Sequence, residues 1–293
     1  MKRLASSLSL FLALDCGRAA PDAGVKFYPA HGLVQQVAAD QRSVTIHHQS
    51  IPGCMMEMTM DFSVKNTNDL AGISAGDEVD FTLAVGENKS WIMNLQLVAH
   101  HIAVVTNNTF VFHADSLELK PGDQLPDGTL RTETGKIIQL SDFRGQAVAF
   151  TFFFTRCPLP DFCPRMNRNF EEARQSLLAN PNAPTNWEFL SISFDPDFDR
   201  PAVLANYASL YRGDDTRHWL FAAASTSTLT NLAPRLDLMV LRQGANISHN
   251  LRTVVLDPQG RIARQFDGNS WTPQQLADAL LNAARGTPPS ASP

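Results

Sequence analysis

Ala147-Val148-Ala149-Phe150-Thr151-Phe152-Phe153-Phe154-Thr155-Arg156-Cys157-Pro158-Leu159-Pro160-Asp161-Phe162-Cys163-Pro164 is the stretch on which the fold of the C-terminal part turns. Its opening run is apolar almost throughout, as a strand covered on both faces should be. Cys163 then precedes Pro164, and a proline at the first helical position marks a helix start. A buried strand feeding a helix is the α/β arrangement, which places its sites at the C-terminal ends of strands. Two cysteines stand at that point. Three chemistries are open to them: a structural disulfide, a redox couple, or two thiolate ligands for a soft metal. The positive end of a helix stabilises a thiolate, and Arg156 and Arg165 add positive charge nearby. Redox exchange and soft-metal binding both require thiolates, so these features do not choose between them.

The segments around this stretch extend the same pattern. A strand is expected at 137–140, a helix at 170–178, a buried strand at 187–194 and a helix at 201–211. A strand at 219–223 and a helix at 226–236 follow. Segments 252–256 and 261–266 form a hairpin across Asp257-Pro258-Gln259-Gly260, a strong turn sequence. Thr272-Pro273-Gln274-Gln275 supplies an N-cap, a proline at the first helical position and a capping-box glutamine for a last helix ending near Gly286. Residues 113–286 are therefore expected to form an α/β thioredoxin-like domain, and 287–293, rich in Pro and Ser, a disordered tail.

Residues 25–105 read differently. Five alternating segments, 33–37, 43–48, 58–64, 78–85 and 90–99, predict an all-β domain, a small OB-like barrel, separated from the rest by a turn at Thr106-Asn107-Asn108. Side chains alternate along a strand, so His48 shares a face with Val44 and Ile46, while Met58 and Met60 share one with Phe62 and Val64. His47 falls on the opposite, solvated face. Methionine is usually a core filler. An imidazole with two thioethers is also a soft, uncharged ligand set suited to Cu(I).

Composition narrows the function classes. The chain has 293 residues, 44% of them hydrophobic and 18% charged, with a net charge of -5. Scattered Lys and Arg on an acidic background give no nucleic-acid surface. Lys2 and Arg3 followed by an apolar run to Leu14 read as an export signal over residues 1–24, since a membrane span needs about 20 apolar residues. Two kinds of processing remain open: acylation of Cys16 as a lipid anchor, and cleavage near Ala19. Either one places the mature chain outside the cytosol, in a periplasmic or equivalent oxidising compartment. With Cys16 set aside, Cys54, Cys157 and Cys163 remain. An odd count suits a close pair plus one isolated thiol better than a disulfide framework.

Two resemblances now become specific. Val44-Thr45-Ile46-His47-His48, Ile51-Pro52-Gly53 and Glu57-Met58-Thr59-Met60 resemble the CusF-like family of periplasmic copper-binding barrels. That likeness implies Cu(I) ligation by His48, Met58 and Met60. Met55 stands where the best-known members place a tryptophan over the copper, so it is a fourth ligand or a shield. Cys54 beside it is expected to be an inert thiol, with ligation as the alternative.

The second resemblance covers about residues 117–284. Phe154-Thr155-Arg156-Cys157, Cys163-Pro164, Ser191-Ile192-Ser193-Phe194-Asp195-Pro196, and His249 before Thr253-Val254-Val255-Leu256-Asp257-Pro258-Gln259-Gly260 resemble the Sco/SenC family. This implies a thioredoxin fold and copper bound by Cys157, Cys163 and His249, the last expected in a loop. It also implies a role in assembling the copper centre of cytochrome c oxidase. The family spacing is Cys-x3-Cys, whereas five residues separate the cysteines here, two of them prolines that stiffen the loop. Asp161 inside the loop is expected to be a solvated carboxylate, with electrostatic tuning of the site as the alternative.

Two readings of function follow. In the first, the chain is a copper metallochaperone. The barrel acquires Cu(I), and the Cys/His site delivers copper to the copper-binding subunit of cytochrome c oxidase or to another periplasmic copper protein. In the second, Cys157 and Cys163 act as a thiol-disulfide oxidoreductase that reduces the cysteines of such a client. The second needs neither His249 nor the barrel. Redox catalysis would make the chain an enzyme; metal carriage would not.

Overall fold

The computed structural model describes residues 24–100, 118–243 and 246–286. The expected export signal up to residue 23, Cys16, the expected turn at 106–108, the expected domain start at 113 and the expected tail from 287 lie outside the described residues.

The N-terminal part is one antiparallel sheet of β1 (Lys26–Val37), β2 (Ser43–His48), β3 (Met58–Ser63), β4 (Asp77–Val85) and β5 (Ser90–His100), ordered β3-β2-β1-β4-β5. β1 begins well before the expected 33–37 because it serves two partners. Its first half, from Lys26, pairs with β4, and its second half, from Gly32, pairs with β2. Gly32 is the crossover. A Cβ there would lie 2.6 Å from Ile46 Cγ2, 2.7 Å from the His47 carbonyl oxygen and 2.8 Å from His48 Cα, so only glycine admits the approach. Val34, Ile46, Phe62, Val79, Leu83 and Ile92 fill the inside. Among the described residues the two sheet edges meet at a single bridge, Val64 to Ile92, with Lys65 N–H donating to the Ile92 carbonyl at 2.9 Å. The expected barrel is thus seen as a curled sheet without a continuous closing ladder.

The C-terminal part contains β6 (Thr129–Thr132), β7 (Ile137–Gln139), β8 (Ala147–Phe153), α1 (Cys163–Ala179), β9 (Trp187–Ser193), α2 (Pro201–Arg212) and β10 (Trp219–Ala224). After these come α3 (Thr226–Leu232), β11 (Val240–Gln243), β12 (Asn246–His249), β13 (Arg252–Leu256), β14 (Ile262–Asp267) and α4 (Pro273–Ala284). Seven strands form one sheet in the order β14-β13-β8-β9-β10-β6-β7. β8, β9 and β10 run parallel, and the remaining pairs are antiparallel. All seven β8 residues are buried, as its apolar run requires. Phe150, Phe152, Phe153, Phe170, Phe189 and Phe221 are fully buried around it, each stabilising the fold by about 1.5–3 kcal/mol. A central β8–α1–β9 crossover beside an antiparallel β13–β14 hairpin and a closing α4 is the thioredoxin-like arrangement.

Three details depart from the sequence expectation. β6 is a short, threonine-bearing strand with too little apolar alternation to read. The expected 226–236 helix stops at Leu232, and Pro234–Leu236 is a separate turn of tighter helix, because proline cannot continue the ladder. Third, His249 is not in a loop: it ends β12, opposite Val240 in a two-stranded hairpin outside the main sheet. Among the described residues no helix is long and apolar enough to cross a membrane.

Candidate metal centre

β8 ends at Phe153, and the chain then turns over Thr155 and Arg156 before the first cysteine. The turn is held from below. Asp199 accepts from the Thr155 N–H at 3.1 Å and from the hydroxyls of Thr155 and Ser193, while Arg156 pairs with the buried Asp195 at 2.6 Å. The Arg156 guanidinium also lies over the Phe198 ring, 4.2 Å from its centre. These contacts fix where Cys157 emerges.

Cys163 is the first residue of α1 and is fully buried. Its sulfur lies 3.4 Å from His249 Nε2. The ligand atoms of Cys157, Cys163 and His249 all lie within 4.8 Å of one another. His249 Nδ1 is 2.7 Å from the Asn250 carbonyl, which can only accept, so that nitrogen carries the proton and Nε2 presents a lone pair to the cysteines. Phe154 meets the imidazole edge-on at 5.6 Å, and Phe194 packs at 4.7 Å, so the ring cannot swing away.

The two thiols differ. Burial opposes a charge on Cys157, but hydrogen bonding to Cys163 and His249 outweighs it and brings the Cys157 thiol below its ordinary range. Burial, reinforced by the Cys157 charge, pushes Cys163 up. Cys157 is half-buried and faces a cavity; Cys163 lies beneath it. Two sulfurs and one imidazole nitrogen converging in this way suit a soft or borderline ion such as copper.

The sheet site is built on β2 and β3. His48 stands opposite Met58, and Ile46 opposite Met60. His48 is fully buried. Its Nδ1 donates to the Gln49 carbonyl at 2.7 Å, which leaves Nε2 as the free lone pair. That Nε2 has no hydrogen-bond partner among the described residues. Burial holds the imidazole below its ordinary pKa and therefore neutral, the form that ligates. Met58 is half-buried, and Met60 and Met55 are buried. His47 points outward and bonds Thr59 and Glu57.

The relation between the two sites was not legible in the sequence. Cys54, Met55, Met56 and Met58 form one wall of a cavity of about 100 Å³, whose other wall includes Phe154, Arg156, Cys157, Leu159 and His249. Met55 is therefore positioned at this shared cavity. Cys54 is half-buried, and burial, with the nearby Cys157, raises its thiol to about 11. Met56 was not a sequence candidate, and only the unusual run Cys54-Met55-Met56 could have marked it.

Asp161 requires a correction. It is buried, not solvated, and both its carboxylate oxygens accept from the Ser90 hydroxyl at 2.7 and 2.9 Å. Ser90 opens β5, so the loop between the cysteines is tied to the N-terminal sheet. Asn269 donates to the Asp161 carbonyl at 2.9 Å, and Arg168 to that of Pro160 at 2.8 Å.

Two family models match this chain, one over each part. The family model described as "Copper binding periplasmic protein CusF" matches residues 28–97, and the SCO1/SenC model matches residues 125–285. A SCO1 protein homolog of Bacillus subtilis is 22% identical over 148 residues, covering 50% of this chain and 74% of that protein. The mitochondrial SCO2 homolog of Homo sapiens is 26% identical over 146 residues, covering 48% of this chain and 52% of that protein. The copper-bound crystal structure of Arabidopsis thaliana ScoI superposes with a TM-score of 0.47 at 17% identity, covering 55% of this chain and 98% of that one. With its model matched over more than half of the sequence, the chain belongs to the SCO1/SenC family.

Proposed function

We propose that this chain is an extracytoplasmic copper chaperone that takes up Cu(I) in an OB-like N-terminal domain and presents copper at Cys157, Cys163 and His249. The client is the copper-binding subunit of cytochrome c oxidase or another exported copper protein. The observation that carries this reading is the convergence of three soft ligand atoms within 4.8 Å, with the imidazole tautomer set by Asn250. Separate support comes from His48, whose buried Nε2 is without a hydrogen-bond partner among the described residues beside Met58 and Met60. A thioether and imidazole set holds Cu(I) in an oxidising compartment, where a thiol pair alone is open to disulfide formation.

The test is metal analysis of the reduced full chain beside a Cys157→Ser/Cys163→Ser variant and a Met58→Leu/Met60→Leu variant. Each variant loses one of two bound copper ions. Zinc-only occupancy of the parent would overturn the reading.

A second reading has one observation of its own, the unequal thiols. A half-buried Cys157, held below the ordinary thiol range, over a fully buried Cys163, pushed above it, is the arrangement of an attacking and a resolving cysteine. Cys157 would attack a client disulfide, and Cys163 would then displace the client from the mixed disulfide. The client leaves as a dithiol, and the Cys157–Cys163 pair is left oxidised by two electrons.

A further inference from the structure

Met58 and Cys157 line one cavity from opposite sides, although they belong to different sheets and lie far apart in sequence. The wall on the N-terminal side is Cys54, Met55, Met56 and Met58, an unbroken sulfur lining apart from Glu57, whose side chain pairs with His47 outside. Behind Met58 stands its cross-strand partner His48, with the buried Nε2 that has no hydrogen-bond partner among the described residues. The facing wall offers the Cys157 sulfur and His249. Cu(I) moves between sites by associative exchange, in which an incoming soft donor binds before an outgoing one leaves. A thioether holds Cu(I) more weakly than a thiolate does. The cavity supplies the donors, and Cys54 is the thiol that its N-terminal wall contributes.

We propose that Cys54 is a transit ligand, taking Cu(I) from the His48/Met58/Met60 set and handing it across the cavity to Cys157, Cys163 and His249. This rests on the copper-chaperone reading above and specifies its internal route. The metal stays Cu(I) throughout, so no electron is exchanged. One Cu–S(thioether) bond breaks as the Cu–S(Cys54) bond forms, and the Cys54 thiol proton passes to water in the cavity. When Cys157 and Cys163 take the copper, their Cu–S bonds and the Cu–N bond to His249 form as the Cu–S(Cys54) bond and the remaining bonds to the His48/Met58/Met60 set break. Thiol protons lost at the acceptor pass to water, and Cys54 regains a proton from it. The Ser90 to Asp161 hydrogen bonds hold the two walls in register during the exchange.

Two measurements on the full, reduced chain under anaerobic conditions test this. In a Cys157→Ser/Cys163→Ser variant the acceptor is gone and copper is halted on the donor wall. One equivalent of Cu(I) is then expected to slow alkylation of Cys54 by iodoacetamide by about tenfold or more. In the otherwise native chain, stopped-flow absorption follows the copper–thiolate band as Cu(I) reaches Cys157 and Cys163. Cys54→Ser, or Cys54→Ala if the serine variant folds poorly, is expected to slow that phase by about tenfold. Unaltered alkylation with copper present, or a native transfer rate without Cys54, overturns the transit role. If Met58→Leu/Met60→Leu also leaves the transfer phase unchanged, the N-terminal acquisition reading fails as well. If that variant abolishes the phase while Cys54→Ser does not, only the transit role falls.

Discussion

The Ser90 hydroxyl lies 2.7 and 2.9 Å from the two carboxylate oxygens of Asp161, joining the first residue of β5 to the loop between the two cysteines. The longer spacing from Cys157 to Cys163 is thus given a use: it brings a carboxylate out to the other sheet. Asp161→Ala leaves the Ser90 hydroxyl buried without this acceptor, at a cost of about 1–3 kcal/mol. The expected outcome is a lower unfolding temperature together with faster proteolysis of the segment between the two parts. Ser90→Ala, which strands the carboxylate instead, should reproduce it. Unchanged protease sensitivity in both variants would show that the two parts are held by other contacts.

His249→Ala separates metal carriage from thiol exchange. The imidazole offers one of three candidate ligand atoms, while the dithiol is complete without it. Copper affinity at this centre is expected to fall by at least about 10–100-fold, since that is the loss on removing even an outer group that only supports a ligand. The reduced pair should still close to a disulfide with a chemical oxidant. Free-thiol counts and copper binding, read on one sample, check both halves. Retained copper with lost oxidation would contradict the assignment of His249 as a ligand.

Glu188, the second residue of β9, gives a pH-dependent stability. Burial pushes its carboxyl up to about 8, with Arg174 opposing and Glu133 adding to the rise. The folded state therefore prefers the protonated acid, whereas the unfolded chain ionises near the ordinary value of 4.5. Below the unfolded value both states are protonated and nothing is lost. Stability then declines as the pH rises from about 4.5 towards 8. Glu188→Gln is expected to raise the unfolding temperature at pH 8 and to make little difference at pH 4.5. Thermal melts across that window test the sign, and an equal effect at both ends would show that the carboxyl titrates normally.

What the sequence disclosed follows from the range of the forces involved. Strand β8 was legible because burial on both faces writes a continuous apolar run, and α4 because Thr272, Pro273 and Gln275 encode its start locally. The candidate donors could be named from the sequence because Met58 and Met60 share strand parity and Cys163 adjoins a helix start. β12 was not: four residues carrying His249 have no room for a period, and the hairpin is imposed by the pairing of Val240 with His249. Asp161 was misjudged for a similar reason. A loop carboxylate between prolines looks solvated until a hydroxyl 71 positions away is brought to it by the fold. Cys54 and Met56 had neighbours that only the docking of two sheets supplies.

The cavity of about 100 Å³ has a consequence for timing. That space admits an ion and a few waters, but it is several times smaller than the volume a drug-sized ligand fills, and a client's loop needs more. With the N-terminal sheet against the cysteine loop, Cys163 and His249 are buried and the half-buried Cys157 faces a space shared with Cys54 and Met58. On the chaperone reading, a macromolecular client would have to displace the N-terminal wall to reach these ligands, competing for the contact that Ser90 and Asp161 make.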